Sequence, residues 1–267
     1  MRRLCLLVVL LASAPVFAAD ATAFINVSVV PMDTERVIAQ QTVVVLDGRI
    51  AAIGPVDEVP IPEGATVVDG TDRYLMPGLA EMHAHVPAPD SPALARYFDL
   101  YVANGVTTIR GMLGRKSHLE LRDALAAGSV FGPRLVTSGP SLNGRSVSGV
   151  QQARDMVAAQ QAAGYDFVKI HPGLTAEEFE AAASTANALG MPFAGHVPVA
   201  AGIARALDLD MATIDHLDGY FAALLPPDSH GRGGFGGFFD VFLADEIDAG
   251  RIAEIAAATA EAGTWNV

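Results

Sequence analysis

From Leu79 onward, short apolar runs alternate with alanine-rich stretches of helical length, and this rhythm limits the chain to few folds. Strands are predicted at Leu79–His85, Val106–Met112, Arg134–Ser138, Phe167–His171, Pro192–Val197 and Thr213–Leu217. Helices are predicted between them, at Ala93–Asn104, His118–Ala127, Val150–Ala163, Ala176–Leu189 and Val199–Leu207. Asn104-Gly105, Ala163-Gly164 and Leu189-Gly190 place a glycine where a helix ends in a left-handed residue. Strand–helix alternation of this kind implies an α/β fold with parallel strands. About six such units, at about 31 residues each, fill residues 79–267, and Thr264-Trp265-Asn266-Val267 begins a seventh strand; a (β/α)8 TIM barrel needs about 250 residues. The region from residue 78 to 267 is therefore expected to be a barrel, incomplete here. An open, doubly wound sheet of six strands is the alternative and would need nothing more.

The preceding region has a different texture. Residues 19–77 carry β-rich runs at Thr22–Val30, Thr42–Leu46, Arg49–Ile53 and Gly64–Asp69, with turn signals at Asp47-Gly48 and Asp69-Gly70. They read as a small β module that needs a partner sheet. Residues 1–18 read as a secretory signal peptide: Arg2 and Arg3 are basic, Leu4–Leu11 is apolar, and Val16 and Ala18 are small residues before a cleavage point ahead of Ala19. The apolar run is short for a span of about 20 residues, so no stable membrane insertion is expected after cleavage. The mature product is expected to be exported, periplasmic or secreted. Cys5 is the one cysteine of the chain and leaves with the signal, so a metal site would have to use histidine, carboxylate or a modified side chain. With 30 acidic against 17 basic residues, a net charge of −13 argues against nucleic acid or anionic membrane as partners. A small-molecule substrate is expected, and a homo-oligomer stays open.

Four of the seven histidines fall at or near the C-terminal tips of predicted strands: His83 and His85 on the first, His196 on the fifth and His216 on the sixth. Residues i and i+2 of a strand face the same way, and imidazole pairs suit zinc and similar ions. Barrel active sites lie at that end of the strands. Each histidine alone reads equally well as a satisfied polar group near the core; four at equivalent positions do not. Lys169 ends the fourth strand. An ammonium has no lone pair for a metal, and chemistry alone favours a lysine paired with an acid at the rim. A buried lysine with a lowered pKa can also react as a free amine, and carbon dioxide would convert it to an anionic carbamate able to bridge metals.

Three stretches, Val45-Leu-Asp-Gly-Arg-Ile-Ala-Ala-Ile-Gly54, Val68-Asp-Gly70 and Leu75-Met-Pro-Gly-Leu-Ala-Glu-Met-His-Ala-His85, resemble the start of the amidohydrolase superfamily, in particular its imidazolonepropionase-like and Xaa-Pro-dipeptidase-like branches. The resemblance covers essentially the whole mature chain. It implies a (β/α)8 barrel joined to a small β-sandwich, with His83 and His85 as first-strand metal ligands and His196 and His216 as those of the fifth and sixth strands. It also implies a pair of divalent ions, zinc in most readings, with Lys169 carboxylated by carbon dioxide to bridge them. The implied reaction is hydrolysis of an amide-like carbon–nitrogen bond, in a dipeptide or N-acyl amino acid, by a metal-bridging hydroxide. Family members carry an aspartate after the eighth strand as general acid and base; this chain ends at Val267, before that strand, and reads as a fragment of a longer enzyme. Asp218 could face the same site, but it is not assigned that role. Hydrolysis of cyclic amides or esters, and a catalytically dead exported metal-binding protein, are the alternatives.

Arg110, at the end of the second strand, could hold a substrate carboxylate or form a structural salt bridge. His171, two residues beyond Lys169, could touch substrate. His118, at the start of a helix, and His230, in a loop, are expected to be solvated. Gly231–Gly237 lacks the Lys-Ser/Thr of a phosphate loop and reads as a mobile loop or lid.

Overall fold

The computed structural model describes residues 20–226, 242 and 244–267. The signal segment, His230 and the Gly231–Gly237 loop therefore lie outside the described residues. The chain divides into two compact units, Met1–Pro77 and Gly78–Val267.

The first unit holds one five-stranded sheet. Its strands are β1 (Ala21–Val29), β2 (Ile38–Leu46), β3 (Arg49–Pro55), β4 (Thr66–Asp69) and β5 (Tyr74–Leu75). β2 and β3 form the hairpin expected around Asp47-Gly48, both in left-handed conformations. β1 is antiparallel to β2 and parallel to β4 and β5. Val27, Val29 and Val43 are buried together against Phe24 and Leu75.

The second unit runs β6 (Leu79–Ala84), α1 (Leu94–Ala103), β7 (Val106–Gly111), α2 (Ser117–Ala126), β8 (Arg134–Thr137), α3 (Val150–Ala163), β9 (Val168–Ile170), α4 (Ala176–Ala188), β10 (Phe193–Gly195), α5 (Gly202–Asp208), β11 (Thr213–Ile214), α6 (Tyr220–Leu224), α7 (Ile252–Glu261) and β12 (Trp265–Asn266). All strand pairings here are parallel, in two sets ordered β6-β7-β8 and β12-β11-β10-β9. Parallel bridges Ser138–Phe167 and Leu142–Ile170 join the sets beside β8 and β9. The fold is thus mixed α/β, with parallel strands following one another in chain order, and the expected seventh strand pairs beside the sixth.

Strand alternation explains what each face carries. On β9, Val168 and Ile170 sink into a core with Phe179 of α4 and Phe193 and Ile214 of the next strands. Lys169, between them, faces the other way. On β7, Ile109 packs with Phe98 and Leu121 of α1 and α2, so Arg110 also takes the face away from the helices. That face is concave. In a flat sheet, β6 and β11 would be five strand spacings, about 24 Å, apart. Instead His83 Nδ1 of β6 is 3.3 Å from Asp215, directly after β11. Arg110 of β7 likewise donates to Thr213 Oγ1 of β11 at 2.9 Å. The row of strands therefore curls until its two ends share polar contacts.

Helix α4 is anchored by a complete capping box: Thr175 Oγ1 accepts from the Glu178 amide at 3.2 Å, and Glu178 returns the bond to the Thr175 amide at 3.0 Å. The second Glu178 oxygen accepts from the Gly149 amide at 2.7 Å and so ties the start of α3 to that of α4. The two amides that donate to it, of Thr175 and Gly149, hold the Glu178 carboxyl below its ordinary pKa.

Candidate functional site

The strands are shorter than expected, and this changes how the site residues are held. His83 and Lys169 lie within β6 and β9, but His85 and His196 follow their strands directly. β11 ends at Ile214, so His216 is not on a strand. His216 and Leu217 are both left-handed, with φ of 59° and 57°. Two consecutive non-glycine residues in that region are costly, about 1–3 kcal/mol each, and such strain collects at functional sites. The sharp turn leaves Asp215 and Asp218 fully buried and His216 exposed.

The structure brings the five histidines of the second unit's rim into one continuous cluster. Ring centroids are 5.2 Å apart for His83 and His85, 4.6 Å for His83 and His216, 5.5 Å for His216 and His196, and 5.0 Å for His196 and His171, the last pair stacked. Lys169 sits beneath it, wholly buried and ion-paired to Asp215. Burial pushes the Lys169 amine below its ordinary pKa, against the upward pull of Asp215. Burial would raise the Asp215 carboxyl, but the nearby His83 and the charge of Lys169 overcome it and hold the group well below the usual carboxylate range. His85, His171 and His216 are all lowered, chiefly by burial, His171 to about 4, so these three imidazoles are neutral at pH 7 and keep a lone pair.

One carboxylate orients a ring and a second lies close to another. Asp218 accepts from His196 Nδ1 at 2.5 Å, and Asp215 lies 3.3 Å from His83 Nδ1. The His196–Asp218 hydrogen bond engages Nδ1 and leaves Nε2 available, the arrangement by which ligating histidines are fixed in metal sites; His83 Nδ1 is near Asp215 but not hydrogen-bonded to it. His83 Nε2 and His85 Nε2 are 3.3 Å apart. Two nitrogens bound at about 2.0–2.1 Å to one tetrahedral zinc would be about 3.4 Å apart. Among the described residues, Asp215 Oδ1, Asp218 Oδ1 and His83 Nδ1 are buried without a hydrogen-bond partner, and unpaired carboxylate oxygens suit a place beside a cation. As the side chains stand, no three or more His, Cys, Asp or Glu among the described residues converge to hold one ion. Donor chemistry and the His83–His85 spacing fit a divalent metal; the remaining ligands need to close in.

Asp215 is the residue that sequence reasoning missed. An acid next to a strand tip looks like a solvated turn residue, and only the curl of the sheet brings it over Lys169. Arg110 is engaged within the protein: it donates to the Met82 carbonyl at 2.9 Å and to Thr213, approaches Asp215 Oδ1 at 3.8 Å and lies over the Phe167 ring. These are the contacts of the structural reading offered for it beside the substrate role. His118 overturns the expectation of solvation: it points inward from the first turn of α2, is fully buried, and burial lowers its pKa. His171 borders a cavity of about 860 Å³ with Asn143, Arg145, Leu174 and Val199.

No family model matches the chain. Among curated proteins, it is 27% identical over 168 residues to adenine deaminase 3 of Rhizobium meliloti (strain 1021), covering 58% of this chain but 28% of that protein. Among solved structures, a candidate prolidase from Bifidobacterium longum matches with a TM-score of 0.64 and 28% identity, over 74% of this chain and 54% of that one. A Xaa-Pro dipeptidase with methionine bound in its active site matches in fold with a TM-score of 0.68 at 19% identity, over 93% of this chain and 66% of that one. The chain thus spans about a quarter of the curated relative and between half and two thirds of these solved structures. No helix among the described residues is long and apolar enough to cross a membrane.

Proposed function

We propose, from the premise that the chain belongs to the amidohydrolase superfamily, that it forms the metal-binding part of a hydrolase of amide-like carbon–nitrogen bonds. The observation that carries this reading is the rim itself: five imidazoles in ring contact above a buried lysine, with carboxylates behind two of them. His83, His85, His196 and His216 would hold a pair of divalent ions, zinc by donor type, with Lys169 between them as a carbamate. Bound there, such ions supply Lewis-acid polarisation of the scissile carbonyl and lower the pKa of a coordinated water.

The chain's own residues have distinct tasks. Burial disfavours the Lys169 ammonium and so favours the free amine that carbon dioxide requires, while Asp215 opposes this by pairing with the ammonium. Once the Lys169 ammonium has given up one proton, addition of carbon dioxide to the free amine with loss of a second proton to solvent would replace the cation by an anion, leaving Asp215 near His83 and Arg110. Asp218 orients His196 through Nδ1, and Asp215 lies beside His83 Nδ1. His171, stacked on His196, faces substrate. In this reading the parallel strands are part of a (β/α)8 barrel, the five-stranded sheet is one layer of a sandwich, and residues 1–18 direct export.

Dipeptides and N-acyl amino acids are the proposed substrates. A second reading, hydrolysis of a cyclic amide or ester or of the exocyclic carbon–nitrogen bond of a heterocyclic amine, draws for its last case on the similarity to a protein named as an adenine deaminase. A panel of dipeptides, N-acyl amino acids, cyclic amides, lactones and adenine, assayed on the zinc-loaded full-length gene product, tests both. Turnover of the linear amides is expected; turnover of the cyclic compounds alone would replace the first reading with the second, and turnover of none would overturn both.

A further inference from the structure

The 860 Å³ cavity beside His171 differs in charge from the rest of the molecule. The chain carries a net charge of −13, yet among the described residues no aspartate or glutamate lines this cavity. Among the described residues, Arg145 is the one lining side chain with a fixed charge, and its guanidinium makes no ion pair or side-chain hydrogen bond with them. Its place is set from the backbone: Asn143 Oδ1 accepts from the Arg145 amide at 2.9 Å and from the Ser146 amide at 3.1 Å, which fixes the turn after β8. Pro172, Leu174, Val199 and Ala200 supply an apolar part of the lining. His171 borders both this cavity and the histidine cluster through its stack on His196, so one bound molecule can reach from one to the other.

We infer that Arg145 is a specificity-determining residue that anchors the carboxylate of the substrate, and that the cavity takes an apolar residue bearing that carboxylate. A planar guanidinium matches a carboxylate through two parallel N–H···O bonds. A single fixed cation in a partly apolar lining suits a monoanion with an apolar body better than a phosphate, which asks for more donors. The inference rests on the proposed hydrolase reading and names which end of the amide lies beyond His171: the free acid of an N-acyl amino acid or dipeptide whose last residue is apolar. Arg110 is excluded from that task by its buried partners.

The test is equilibrium binding to the full chain, by calorimetry, of N-acetyl-L-leucine and of N-acetyl-L-leucinamide, which differ only in the charged end. The acid is expected to bind about tenfold or more tightly than the amide, the size of a charge-assisted hydrogen bond, with the difference shrinking as salt rises. Arg145→Met should erase the preference and Arg145→Lys should keep part of it. An unchanged melting temperature is expected for both variants, since the side chain is exposed and unpaired among the described residues. Equal binding of acid and amide, a preference that survives in Arg145→Met, no binding of either, or displacement of the acid by an equal concentration of inorganic phosphate would each overturn the inference. Binding is read without turnover, so an acid preference alongside no hydrolysis of any amide would sink the hydrolase reading and spare the role of Arg145.

Discussion

Lys169→Met is expected to destabilise the chelator-treated protein by about 3–5 kcal/mol, the usual cost of removing one partner from a buried ion pair. Lys169 and Asp215 are both completely inaccessible to solvent, and they pair on the concave face of the curled sheet. Methionine fills similar volume, so little of the loss comes from a cavity. What remains is a buried carboxylate whose other neighbours, His83 at 3.3 Å and Arg110 at 3.8 Å, compensate it only in part. Asp215→Asn added to Lys169→Met removes that stranded charge and should recover more than half of the loss. Urea unfolding with an unchanged slope measures both values. A loss below about 1 kcal/mol for Lys169→Met, or a double variant whose loss equals the sum of the two singles, would show that the pair does not exist in the metal-free protein.

Gly195→Ala is the second change with a large expected effect. Gly195 closes β10 with φ +128°, a conformation L residues rarely adopt, and an added Cβ would lie 2.2 Å from the Ile170 carbonyl oxygen and 2.8 Å from Lys169 Cδ. Neither obstacle yields cheaply: one is strand backbone and the other is a buried side chain held at its tip by Asp215. Backbone strain of about 1–3 kcal/mol adds to overpacking of about 1–3 kcal/mol. Gly164→Ala serves as the control, because Gly164 ends α3 with φ +83° and an added Cβ there meets open space. It should cost only the strain of a left-handed L residue, about 1–2 kcal/mol. Thermal melts of the two variants therefore separate strain alone from strain plus collision, and equal losses would contradict the close approach of β10 to Lys169.

Much of this architecture is legible in the sequence, because local periodicity is a local property. Val168-Lys169-Ile170 shows two apolar residues flanking one polar residue, and the structure turns them to opposite faces for that reason. The glycines after α1, α3 and α4 sit where left-handed caps are needed. The end of the sixth strand is not legible: Thr213–Leu217 looks uniformly extended, yet the chain turns sharply at His216 and Leu217. Partner choice is also hidden. Arg110 and Thr213 are 103 positions apart in the chain, and only the curl of the strand row makes them neighbours. His118 shows the opposite failure, since a polar residue beginning a helix reads as solvated until the face it turns inward is known.

The central claim is that these imidazoles and Lys169 form one metal centre that closes when Lys169 is carboxylated. The most direct measurement is the metal content of the full chain after zinc loading with and without bicarbonate, followed by gel filtration and elemental analysis. The account predicts about two zinc ions retained per chain with bicarbonate, fewer without it, and loss of the bicarbonate dependence in Lys169→Ala. Zinc retention that ignores bicarbonate and survives substitution of His83 and His216 would contradict it.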